Sequence, residues 1–132
     1  MAKIENMQLQ HVAFICENIE RMEEYYSSIF GFTRARVFNE GQNNEFFILK
    51  CDNVRIELFP KKEGMKYGKG KFKHFAVSVN SLNSTIEYLN LKNIKVDNII
   101  DYSTEGNVFK ICFVTDPEGN VIEFMEGYKD KD

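Results

Sequence analysis

The chain has two histidines, and each opens a near copy of one apolar stretch, "QHVAFIC" at residues 10–16 and "KHFAVSV" at residues 73–79. Shifting the sequence by 63 positions lays His11 on His74, Ala13 on Ala76, Ile19 on Leu82, Glu24 on Glu87 and Tyr25 on Tyr88; a shift of 66 lays "IELF" (56–59) on "IEFM" (122–125). One unit is written twice. Each copy offers an imidazole near its start and a carboxylate near its end, Glu57 in one and Glu123 in the other. Two carboxylates gathered in one cleft repel and are costly to strip of water unless one takes a proton or a cation lies between them. A divalent metal supplies that cation. Two imidazoles with two carboxylates suit zinc, nickel, cobalt, iron or manganese, and open positions remain for water or substrate oxygens. Singly, each residue has an ordinary explanation, as a solvated strand-end imidazole or a glutamate on an open sheet face. The repeat-equivalent placement of all four carries the reading.

The elements that must position these groups read as strand, helix, strand, strand, strand in both copies. In the first, residues 8–16 alternate as a strand, Asn18 caps a helix running to about Ser28, and Gly31 ends it in a left-handed conformation. Strands at 32–38, 45–51 and 54–59 follow, the last two joined across Asp52 and Asn53. The second copy places a strand at 73–79 and caps with Ser81 a helix over 82–92, whose apolar face takes Leu82, Ile86, Leu89 and Tyr88. Strands at 95–101, 108–115 and 120–126 complete it, with "DPEG" (116–119) as a turn and residues 60–71 as the linker between units. The two-residue period of a strand sends Val12, Phe14, Cys16, Ile56 and Leu58 toward the helix and His11, Ala13, Ile15, Arg55, Glu57 and Phe59 away from it. The second copy repeats the parity, with Phe75, Val77, Val79, Ile122 and Phe124 inward and His74, Ala76, Ser78, Val121, Glu123 and Met125 outward.

A chain of 132 residues fits one domain and buries roughly two-thirds of its unfolded surface without staples. Cys16, Cys51 and Cys112 form no CxxC pair, so a disulfide scaffold is not expected and a reducing compartment fits. There is no run of the roughly 20 apolar residues a membrane span needs, and the chain reads as a soluble cytoplasmic protein with no membrane partner. A net charge of -3 argues against a nucleic-acid surface. The exception is "PKKEGMKYGKGKFK" (60–73), six lysines against one glutamate, which reads as a solvated segment before it reads as a steering patch for anions.

With "LQHVAF", "RIELF", "KHFAVSV" and "DPEGNVIEF" at these positions, residues 8–126 resemble the vicinal oxygen chelate superfamily (glyoxalase/bleomycin resistance/dioxygenase), and within it most of all glyoxalase I, lactoylglutathione lyase. The resemblance implies an α+β fold in which two tandem βαβββ units, about 8–59 and 72–126 of a single domain spanning 1–132, form a curved mixed-sheet cleft. It further implies that His11, Glu57, His74 and Glu123 hold one divalent metal ion per site, Ni2+ or Zn2+, and that the protein is a homodimer, as in many members. The full His-Glu-His-Glu set favours a glyoxalase-like site, since related dioxygenases and fosfomycin-modifying members use two histidines and one glutamate. The implied reaction shifts a proton between adjacent carbons of a 2-oxoaldehyde–thiol hemithioacetal through an enediolate, with Glu123 as first candidate base and Glu57 on the other face. The alternatives are a methylmalonyl-CoA-type epimerase, which needs the same two bases, and a non-catalytic small-molecule (drug) binding protein.

The thiol-binding positions depart from the family. Ile15 stands where glutathione-using members commonly carry arginine, Lys61 where they carry asparagine, and Glu105 near the lysine of their mobile loop. A lysine does not automatically replace a forked, bidentate clamp, so the thiol is not necessarily glutathione. Candidate substrate contacts are Arg55, as an anion holder or else the partner of Glu40 or Glu45, together with Phe59, Phe113 and Met125. Phe46, Ile48, Phe109 and Ile111 are further candidates for the cleft wall.

Overall fold

Two capped stretches become helices and the alternating stretches between them become strands. A computed structural model describes residues 5, 8–62 and 74–130. In chain order its elements are β1 (Val12–Cys16), α1 (Ile19–Phe30), β2 (Thr33–Phe38), β3 (Phe46–Cys51), β4 (Val54–Pro60), β5 (His74–Ser78), α2 (Leu82–Leu91), β6 (Asp97–Asp101), β7 (Lys110–Thr115) and β8 (Val121–Glu126). The Asn18 side chain accepts from Arg21 N at 3.0 Å and the Ser81 hydroxyl from Ser84 N at 3.1 Å, the two expected N-caps. Helix α1 runs two residues beyond the expected Ser28 because Ile29 and Phe30 pack on the core; Gly31, at φ 77°, then supplies the left-handed stop. Residues 63–73, most of the lysine-rich stretch and linker, lie outside the described residues.

The strands form two four-stranded sheets, in the orders β1-β4-β3-β2 and β5-β8-β7-β6. In each, the first and last strands of the unit pair in parallel and the remaining neighbours are antiparallel. This is the glyoxalase-like α+β arrangement expected, and the copies agree in register: Ala13 lies beside Glu57 as Ala76 lies beside Glu123. One face of each sheet is buried. Phe14, Cys16, Phe47, Leu49, Ile56 and Leu58 pack with Met22 and Tyr26, and Cys112, Val114, Ile122 and Phe124 with Leu82 and Leu89, in one continuous core. Each such large side chain removed from water contributes about 1.5–3 kcal/mol. Tyr88 departs from the expected apolar face of α2: it is 43% exposed and donates its hydroxyl to the Ile29 carbonyl. The last turn of α1 leaves carbonyls without helical donors, and a phenol near one satisfies it.

The units are joined through their helix sides. Phe14 meets Phe75 and Phe30 meets Phe124, both with ring centroids 5.9 Å apart. Between them Tyr26 donates its hydroxyl to Asp116 at 2.9 Å, and Asp116, only 4% exposed, also accepts from Glu118 N, Asn120 N and the Asn120 amide. The Glu118 carboxylate reaches back to accept from Glu17 N and Asn18 N, both at 2.8 Å, at the entry to α1. The "DPEG" turn therefore clamps one unit to the other. None of the helices among the described residues is long and apolar enough to cross a membrane.

Tyr25 and Tyr26 make a paired test. The Tyr26 hydroxyl serves a buried carboxylate, whereas the Tyr25 hydroxyl is buried with no hydrogen-bond partner among the described residues. Tyr26→Phe is expected to cost about 1–3 kcal/mol in urea unfolding, and Tyr25→Phe to be neutral or stabilising. The thiols set a pH dependence. Burial pushes Cys16 up to about 12, helped by the charges of Glu118 and Asp116, and Cys112 up to about 11. From about pH 9 upward the unfolded chain therefore binds fewer protons than the folded one, and stability falls with rising pH. The urea midpoint is expected to drop between about pH 9 and 11, and to drop less in a Cys16→Val, Cys112→Val variant.

Candidate metal centre

Each open sheet face carries one imidazole against one carboxylate. His11 Nε2 lies 3.2 Å from Glu57 Oε1, and His74 Nε2 lies 2.8 Å from Glu123 Oε1. Glu123 is only 9% exposed; the neighbouring small side chain of Ala76, in register with it, leaves room in front of it. His11 Nδ1 contacts Gln10 Oε1. Each pair makes a direct imidazole–carboxylate contact and offers one nitrogen and one oxygen donor to a cation. Two donors at about 2.1 Å from one ion, with angles between tetrahedral and octahedral, would stand about 3.0–3.4 Å apart, close to both pairs. The residues present fit a divalent ion, one nitrogen and one oxygen from each unit.

The four do not meet within one chain. Among the described residues no group of three or more His, Cys, Asp or Glu side chains is placed to hold one ion. The sequence leaves open whether one chain or two complete the set; here the four stand as two separate pairs, one on each sheet. The physical cause is the seam: the units touch through helix-side aromatic rings, so each outward face keeps its own pair.

Strand register orders the rest of the N-terminal face into rows. Glu57 lies between Ala13 and Ile48, with Arg36 beyond. On one side comes a row of Ile15, Phe59, Phe46 and Phe38, and on the other a row of Arg55, Lys50 and Thr33. Phe46 stacks on Phe59 at 4.4 Å and on Phe38 at 4.7 Å. On the C-terminal face Phe113 sits beside Glu123 and turns its edge to His74 at 5.6 Å, while Met125 pairs with Ile111. Of the expected wall residues, Phe109 goes elsewhere, between Tyr102 and Tyr128. Arg55 forms no ion pair among the described residues, and Glu45 instead accepts from Gly41 N at 2.7 Å. With His11, Arg55 lines a cavity of about 350 Å³ that also touches Phe75, Ala76 and Val77. At the positions that depart from the glutathione pattern, Ile15 is 38% exposed and Lys61 pairs with Glu17 at 2.6 Å.

Gln10, Phe38 and Arg36 escape a reading by period. Gln10 is a neighbour with no motif of its own. Phe38 and Arg36 reach this face because the β2–β3 register shifts between Arg34 and Arg36, reversing the parity that alternation from Thr33 would give. Because Glu123 has His74 as its polar partner, His74→Ala leaves a nearly buried carboxylate unpaired. Without metal it is expected to lose about 1–2 kcal/mol, after allowance for the exposed imidazole, and more than His11→Ala. Chemical denaturation of the chelator-treated proteins measures the difference.

Residues 8–124 match the sequence profile of the Glyoxalase/Bleomycin resistance protein/Dioxygenase superfamily. The chain is 27% identical over 130 residues to lactoylglutathione lyase GLX1 of Arabidopsis thaliana, covering 94% of this chain but spanning 46% of that longer protein. It is 27% identical over 127 residues to the uncharacterized protein YaeR of Escherichia coli (strain K12), covering 90% of this chain and 95% of that one. A glyoxalase family protein from Enterococcus faecalis superposes with a TM-score of 0.72 at 22% identity, over 93% of this chain and all of that one. The matched span takes in both half-sites and all but the last two residues of β8, and the chain belongs to the Glyoxalase/Bleomycin resistance protein/Dioxygenase superfamily.

Proposed function

We propose that the protein is a metal-dependent lyase/isomerase of the glyoxalase I type, working as a homodimer in which His11 and Glu57 of one chain meet His74 and Glu123 of the other around one Ni2+ or Zn2+ ion. The observation that carries this reading is the pair of half-sites, alike in residue type and strand register and each too small alone to hold a catalytic metal. A C2 dimer that faces the N-terminal sheet of one chain toward the C-terminal sheet of its partner generates two complete sites at once.

A bound divalent ion would supply Lewis-acid stabilisation of charge developing on adjacent substrate oxygens. Glu123 would take the proton from one carbon and return it to the next, with Glu57 of the other pair as the second candidate base; both side chains are largely buried. Phe59, Phe113 and Met125 shield the reacting carbons from water. An exposed Ile15 and a Lys61 engaged by Glu17 do not make the forked clamp of glutathione-using members, so the thiol is not necessarily glutathione. An epimerase would use the same two carboxylates but return the proton to the carbon it left.

Subunit mixing tests the assembly. A His11→Ala, Glu57→Gln variant and a His74→Ala, Glu123→Gln variant are each expected to be inactive in hemithioacetal isomerisation. Unfolded together and refolded with nickel or zinc, they should recover about a quarter of wild-type activity, since half of randomly formed dimers are mixed and each carries one intact site. No recovery, with both variants dimeric, would place the site elsewhere. Deuterium exchange alpha to a thioester carbonyl, without isomerisation, would transfer the assignment to the epimerase, and tight ligand binding indifferent to chelator and to Glu123→Gln would transfer it to a binding protein.

A further inference from the structure

The N-terminal open face holds a pair of cations that the fold does not require. Lys50 and Arg55 are direct partners across the antiparallel β3–β4 ladder, on the face of Glu57. Cross-strand partners stand about 4.5–5.5 Å apart at their Cβ atoms, and like charges placed so are destabilising. Neither has an ion pair among the described residues. The duplicated unit supplies an internal control, because at the same place in the C-terminal sheet the partners are Thr115 and Val121, both uncharged. One scaffold thus accepts a neutral pair there and carries two cations in only one copy. Arg36, on the same face of β2, does not join them: its guanidinium lies 5.0 Å over the Phe38 ring, on the other side of the Glu57 row. Arg34, adjacent in the ladder but of the other parity, shows what a structural arginine does here, forking onto Glu23 at 2.7 and 2.9 Å.

The location also matters. Arg55 lies two residues from Glu57 along β4, about 7 Å, and shares the cavity lined by His11. On the opposite side of Glu57 lies the stacked row Phe59, Phe46 and Phe38. A ligand centred on Glu57 therefore has positive charge at one end and an apolar wall at the other.

We propose that Arg55 and Lys50 form an oxyanion-binding subsite, and that the substrate is an anionic compound whose carboxylate or phosphate sits there while its apolar part lies on Phe59 and Phe46. This rests on the metal-centred reading for the position of the reacting carbons, but anion binding itself does not. It restores, from a different pair of strands, the anion clamp that Ile15 and Lys61 do not provide. The two cations are substrate-binding and specificity residues; the proton transfer does not pass through them.

The test has two arms. Chelator-treated protein is melted with inorganic phosphate, and separately with acetate, each against potassium chloride at equal ionic strength. Wild type is expected to gain melting temperature with one or both anions, and whichever acts distinguishes phosphate from carboxylate as the natural group. Lys50→Gln, Arg55→Gln should lose that gain, yet melt without anion at or above wild type, because the like-charge contact is gone. In the second arm, metal-loaded protein is assayed on the 2-oxoaldehyde adducts of 3-mercaptopropionate, which is anionic, and of 2-mercaptoethanol, which is neutral. Wild type should favour the anionic adduct at least about tenfold in kcat/KM, and the double variant should erase the preference by raising KM for that adduct alone. A phosphate or acetate gain that survives in the variant, or no gain in wild type, overturns the subsite. Equal losses on both adducts with a lowered melting temperature do the same, by showing a structural role. Failure of wild type to isomerise either adduct, with the anion gain intact, refutes the isomerase reading and leaves the subsite standing.

Discussion

The geometry depends on how the Asp116 carboxylate is satisfied. A carboxylate this deeply buried is costly unless its lone pairs find donors, and here Tyr26 of the N-terminal unit supplies one while Glu118 and Asn120 of its own turn supply the others. The bond fixes α1 of one unit against the last hairpin of the other. Glu118 reinforces it by accepting from the two amides that lead into α1. With the helix sides locked together and sealed by aromatic contacts, the opposite sheet faces turn outward, and every group with chemical potential on them faces outward too.

That orientation explains why duplication yields two separate His–Glu pairs, one on each sheet. Each unit contributes a nitrogen and an oxygen in nearly the same register, because the parallel pairing of its first and last strands sets an alanine beside a glutamate in both copies. Two donors are too few for a catalytic metal, and the seam that stabilises the chain keeps the pairs on separate faces. Assembly with a second copy is the simplest way for such a chain to complete a four-donor set, and it is the basis of the proposed function.

The units share a scaffold but not a lining. Where the N-terminal sheet sets Arg55 against Lys50, the C-terminal sheet sets Val121 against Thr115; where one places Ile48 beside its glutamate, the other places Phe113. Positions facing the core hardly differ in character, since volume and apolarity are demanded of both. The differences gather on the open faces, where packing imposes little, and a ligand is the remaining source of constraint.

Much of this was legible from residue order alone. The repeat, the two N-caps, the glycine stop of α1, all eight strands to within a few residues at either end and the side of the sheet taken by His11, Glu57, His74 and Glu123 follow from period, capping chemistry and self-similarity, which are local. What tertiary structure decided is where the duplicated faces point and what surrounds them. The exposure of Tyr88 depends on a carbonyl 59 residues away at the end of α1. The arrival of Arg36 and Phe38 on the open face depends on a register shift in β2 that no alternation announces. The division of the four candidate ligands into two pairs depends on a seam built from Tyr26, Asp116 and four phenylalanines scattered along the chain. Sequence period specifies which face of its own strand a side chain takes; only long-range packing specifies which other face it meets.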